Sequence, residues 1–148
     1  MNAQKLEGWI LENYQGIIVI DAYRERSFFY NPDGSLQKGI YMATIKESDG
    51  PNDKASNLGR LGIYRLSIGI GKKEYKNLFG IIPKRPSKGN IINLDFDFKS
   101  LGIFMPHPIY AWMGWIGIKN PTKSNMDLLK HLLDISYQNA LTKFVKKK

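Results

Sequence analysis

The stretch IYRLSIGI, residues 63–70, decides the fold class. Tyr64, Leu66, Ile68 and Ile70 alternate with Arg65, Ser67 and Gly69. A period of two places the apolar set on one face of a strand and the polar set on the other. The pattern therefore predicts a sheet with one buried face and one face able to meet water.

Further strands flank this one. IIVIDAY (17–23) is a continuous apolar run of strand length, rich in β-branched residues. SFFYNPDGS (27–35) reads as a strand running into a turn, because Asn31, Pro32, Asp33 and Gly34 are all turn formers. GIYMATIK (39–46) is a third strand, and ESDGPNDKASN (47–57) is a polar loop. IINLDFDF (91–98) is read as a short strand and AWMGWIGI (111–118) as the last one, broken by Asn120, Pro121 and Thr122.

Helices are expected in three places. Leu6, Trp9, Ile10 and Asn13 follow helical spacing within Ala3–Asn13, and Gly16 stops the run. KKEYKNLFG (72–80) has an inner stripe of Tyr75, Leu78 and Phe79, with Gly80 as a left-handed cap. The final helix is expected to start at Ser124, with Asp127 three residues on as a capping-box partner. Its stripe runs through Met126, Leu129, Leu133, Ala140 and Phe144, widened by Leu132 and Leu141. Strands in runs with helices at the ends predict an α+β fold, an antiparallel sheet packed by helices.

The 148 residues fit a single α+β domain, 1–148, with 43% hydrophobic and 24% charged residues. A chain of this size buries roughly 70% of its unfolded surface, so it needs no staple. With no cysteine there are no disulfides, thiolate sites or cysteine nucleophiles. Neither a signal peptide nor an apolar run of membrane-spanning length is present, so the expectation is a cytoplasmic protein without a membrane partner.

Charge is the unusual total. Lys plus Arg number 22 against 13 Asp plus Glu, a formal net charge of +9. Arg60, Arg65, Lys72, Lys73, Lys76, Lys84, Arg85 and Lys88 stand against one acid, Glu74, and the chain ends KFVKKK. Such a balance favours polyanions, nucleic acid or an acidic protein, as partners. The alternative is a solvated basic surface with no specific partner.

Recognisable catalytic signatures are missing. The two histidines cannot build a three-histidine zinc site. His131 falls mid-helix opposite the leucines. Asp95 and Asp97 would share a strand face, a possible cation pair or simply a wet edge. The loop at Asp49–Asp53 has Arg60 where an EF-hand needs Glu. GIGKKEY (69–75) lacks the spacing and hydroxyl of a phosphate loop, although a helix start flanked by Lys72 and Lys73 could hold a phosphate weakly. No cofactor is implied.

The densest segment is MPHPIYAWMGWIGIK (105–119). Pro106 and Pro108 stiffen His107, which could serve as a general base or cap a turn through the backbone. In a continuous strand Trp112 and Trp115 would point to opposite faces, one into core and the other toward a helix or groove. His107, Tyr110, Met113 and Trp115 are the candidate groove residues.

ASNLGRLGIYRLSIGIGKKEYKNLFG (55–80), LDFDF (94–98) with PHPIYAWMGWIGIKNPT (106–122), and LLKHLLDISYQNALTKF (128–144) together resemble an uncharacterised bacterial domain family of unknown function. A Trp-bearing strand followed by a leucine-rich helix and a basic C-terminus is more distantly similar to the YjbR/MmcQ-like proteins. That resemblance implies a small α+β domain related in shape to frataxin-like domains and secretion chaperones. It also brings a DNA-binding label by fold analogy, and no catalytic motif. Three functions stay open: a non-enzymatic module with a basic face, a small-molecule binder or enzyme at the His107–Trp115 groove, and a protein-interaction or dimerising domain.

Overall fold

The computed structural model describes residues 1–147. Helix α1 (Ala3–Asn13) starts where the Asn2 side chain accepts the Lys5 amide at 2.9 Å, satisfying one orphan donor of the first turn. Strands β1 (Ile17–Ala22), β2 (Glu25–Tyr30), β3 (Ile40–Lys46) and β4 (Arg65–Gly69) follow, then α2 (Gly71–Phe79). The two-residue strand β5 (Met105–Pro106), β6 (Trp115–Lys119) and α3 (Met126–Lys147) complete the chain. The six strands form one antiparallel sheet in the order β1-β2-β3-β4-β6-β5. The α+β class is as expected, with three α-helices packed on the sheet.

Register sorts the two faces. Ala43, Ile45, Leu66, Ile68, Ile116 and Ile118 pair across β3, β4 and β6 and meet α3 residues such as Leu129, Leu132 and Leu133 in the core. Full burial of each such side chain contributes roughly 1.5–3 kcal/mol. Helix α1 lies on this side too: Arg26, paired with Ile45, reaches Glu7, and Tyr14 donates to Asp134 of α3.

The opposite face carries Thr44, Lys46, Arg65, Ser67, Trp115, Gly117 and Lys119. It does not meet water as the alternation suggested. Arg65 and Ser67 are each 1% exposed, because the segments 47–63 and 80–114 fold over them. Those segments are tied together by Arg60, whose guanidinium donates to Lys99 O at 2.9 Å.

Four local readings need correction. Residues 91–98 form no strand; Asp97 turns the chain by accepting the Lys99 amide and the Ser100 hydroxyl, and both Asp95 and Asp97 are exposed. Residues 111–113 are a 3-10 turn, ended by left-handed Gly114 (φ 84°), so β6 begins only at Trp115. The capping box before α3 is Thr122 with Asn125, serving a 3-10 turn that runs into the helix, rather than Ser124 with Asp127. Gly80 does adopt positive φ (88°), but with ψ −103°, outside the left-handed helical region.

Candidate functional site

The covered face is built on one rung of the sheet. Register places Lys46, Arg65 and Lys119 side by side across β3, β4 and β6, at 6%, 1% and 1% exposure. Among the described residues, Asp53 is the carboxylate that pairs with Lys46 and Arg65. Arg65 holds Asp53 with both terminal nitrogens (Nη1–Oδ1 2.9 Å) and also donates to Ser56 and Ser67. Lys46 Nζ stands 3.8 Å from the same carboxylate. Burial alone would raise the Asp53 pKa, but the Arg65 bonds and charge outweigh it and bring it down to about 2. Among the described residues the Lys119 ammonium finds only the Met105 sulfur as a hydrogen-bond partner, at 3.6 Å. Burial, helped by the Arg65 and Arg60 charges, lowers its pKa to about 8.

His107 caps the adjoining turn. Its Nδ1 accepts the Ile109 amide at 3.0 Å and the Tyr110 amide at 3.1 Å. A nitrogen accepting two N–H groups carries no proton of its own, so the neutral ring is the Nε2–H tautomer. Burial and the Arg65 charge push its pKa well below the ordinary 6.5 despite Asp53 nearby. His107 is thus a fixed neutral donor. A general-base role does not suit it, since Nδ1 is engaged and Nε2 holds the proton.

Around this donor lies a cavity of about 290 Å³. Tyr110 packs 5.1 Å from the imidazole on one side. Trp115 is another wall, its indole close against Gly69; a Cβ there would fall 2.9 Å from the ring. Tyr41 meets the Trp115 ring edge-on at 6.2 Å, placed there by the register shift between Phe28 and Phe29. Met113, Thr44 and Glu25 complete the wall. All four candidate groove residues therefore line one cavity.

A second cavity, also about 290 Å³, shares Tyr110 as a wall. Its floor is Trp112, with the Arg85 guanidinium 4.7 Å above the ring, and Lys88, Ser87 and Asn90 stand at its rim. The two tryptophans are thus separated by the Gly114 turn, not by strand parity.

Over residues 1–148 the sequence matches the family described as "Family of unknown function (DUF6194)". The chain belongs to the DUF6194 family. No curated protein and no solved structure matches it. The family match brings with it no link to YjbR/MmcQ-like proteins.

In this DUF6194 chain the eight candidate polyanion residues divide. Arg65 is buried against Asp53, and Arg60 is spent on the backbone carbonyls of Ser56, Asn57 and Lys99. Lys72, Lys73 and Lys76 are exposed on α2, and Lys84, Arg85 and Lys88 on the following loop. The first amide of α2 is not free for a phosphate, because Gly71 N donates to Gly114 O. The terminal lysines of α3 belong to the helix on the other face of the sheet, and Lys148 lies outside the described residues. His131 is exposed. Among the described residues no group of three His, Asp or Glu side chains could hold a metal, and no helix is long and apolar enough to cross a membrane.

Sequence reasoning missed Lys46, Asp53, Lys119, Thr44, Glu25 and Tyr41. The signal for Lys46 and Lys119 was a lysine closing each of two apolar strands, GIYMATIK and WIGIK, in line with the arginine of IYRLSIGI.

Proposed function

We propose that this DUF6194 protein is a small-molecule-binding protein whose ligand is planar and partly polar. The observation that supports this reading is that Tyr41, Tyr110 and Trp115 line one cavity with a buried His107 whose Nδ1 is fixed by two backbone amides. Ligand pockets pair apolar walls with a few fixed polar groups, and a volume near ~300 Å³ suits a ring system with small substituents. Thr44 and Glu25 add a hydroxyl and an acceptor to that wall. The arrangement supports binding rather than catalysis, because no hydrogen-bonded nucleophile–base pair is found among the described residues that line the cavity. The setting we favour is a single cytoplasmic domain.

A thermal-shift screen of aromatic compounds tests the reading. Hits should raise Tm in proportion to the logarithm of concentration, and the half-exposed rim pair Tyr41→Ala/Tyr110→Ala should abolish the shift while the free protein stays folded. If no compound class gives a shift that depends on these two residues, the reading fails.

A second reading is a polyanion-binding face on Lys72, Lys73, Lys76, Lys84, Arg85 and Lys88. It draws on their common exposure and on the distant likeness to YjbR/MmcQ-like proteins. An anisotropy titration with a labelled DNA or RNA duplex decides it: affinity should fall steeply with salt, and absence of binding at low salt sinks it.

A further inference from the structure

The two cavities share Tyr110 as a wall, and their chemistries are complementary. The cavity over Trp112 contains Arg85 and Lys88 and no carboxylate. Arg85 has no acidic partner among the described residues; it is held in place by stacking on Trp112 at 4.7 Å. The loop presenting Lys88 is closed by the Asn90 amide on Ser87 O at 2.9 Å, with Gly89 at φ 82°. The cavity over His107 is the reverse: it contains three aromatic walls, a neutral N–H donor and one carboxylate, Glu25.

Resting on the cavity reading above, we infer that the ligand is a planar ring carrying a phosphate monoester, of the nucleoside monophosphate class. The ring occupies the His107 cavity and the phosphate the Arg85–Lys88 cavity, with Tyr110 between them. Charge selects this orientation. Two cations without an acid match the roughly −1.5 to −2 charge of a phosphate monoester, and the planar guanidinium fork fits its oxygens. Glu25 repels the same group from the other cavity. At the ring edge, the His107 Nε2–H calls for a ring acceptor, and the Glu25 carboxylate calls for a ring amino or imino donor. Nucleobases and related heterocycles carry both on one edge.

Calorimetric titration tests this with AMP, GMP, CMP, UMP and FMN, each beside its dephosphorylated counterpart, and with inorganic phosphate. At least one monophosphate should bind about tenfold or more tightly than its dephosphorylated form, and the advantage should shrink with salt. In the exposed double variant Arg85→Ala/Lys88→Ala the two forms should bind equally. Tyr41→Ala/Tyr110→Ala should weaken both forms together. Equal binding of each pair by the wild type overturns the inference and leaves the cavity reading intact, as does binding of uncharged aromatic hits with no monophosphate bound at all. Retention of full affinity in Tyr41→Ala/Tyr110→Ala overturns the cavity reading itself.

Discussion

Lys119 is a buried ammonium that donates to a thioether, the Met105 sulfur, and its pKa sets a testable pH dependence. The folded value, about 8, lies below the ordinary 10.5. Between those values the unfolded chain holds the proton and the native chain does not, so stability rises with pH across that window. The gain is bounded at roughly 3 kcal/mol. Tyr64 and Tyr75, whose burial raises their pKa, oppose it only above their ordinary value of 10. Urea unfolding of the wild type should therefore show a higher midpoint at pH 9.5 than at pH 7.5, on the order of one to a few kcal/mol. Lys119→Met should be flat across that range and more stable at the lower pH.

The same residue scale covers Asp53. Its folded pKa of about 2 lies below the ordinary 3.8, so its contribution is complete above 3.8 and lost as pH falls through 2. Asp53→Asn would leave Arg65 buried without its counter-charge, which costs about 3–5 kcal/mol; a drop in Tm of only a degree or two would contradict the burial described. His107, held neutral, acts in the same direction below 6.5.

At the scale of elements, two turns shape the cavity and can be altered separately. The β1–β2 hairpin turns on Tyr23 and Arg24, both at positive φ (54° and 63°), where Asn-Gly is the favoured pair. Tyr23→Asn/Arg24→Gly should raise stability by about 0.5–2 kcal/mol in thermal unfolding. The 3-10 turn before β6 behaves oppositely. A Cβ on Gly114 would sit 2.5 Å from the Gly71 carbonyl carbon at φ 84°. Gly114→Ala should destabilise by more than about 1 kcal/mol and loosen the turn that separates Trp112 from Trp115. Gly69→Ala is the finer probe: it should displace the Trp115 indole, weakening ligand binding more than it lowers Tm.

For the whole molecule, the sheet and its apolar face were legible because residue alternation and register carry the same information. Leu66 and Ile68 fall on the predicted inner side, and register brings Ala43, Ile45, Ile116 and Ile118 onto it. The four groove residues come from an unusually dense segment beside a proline-fixed histidine, and they line one cavity. The cover over the second face was not. Arg65 and Ser67 look solvated in sequence, and only the fold of residues 47–63 and 80–114 shows that serine hydroxyls and Asp53 replace water around them. Trp112 was misplaced for a related reason: a strand pattern continues through AWMG, while Gly114 at positive φ ends it. Thr122 outcompeted Ser124 as a cap because Asn125 reciprocates its bond.

The central claim, that the His107 cavity is a ligand site, is tested most directly by a proton–nitrogen correlation spectrum during titration with a hit from the aromatic screen. The indole N–H of Trp115 and the amides of Thr44 and Tyr110 should shift together and saturate at one dissociation constant, while the indole of Trp9, on α1 beside Tyr14 and Lys130 of α3, stays in place. Saturable binding with the Trp115, Thr44 and Tyr110 signals unmoved would contradict it.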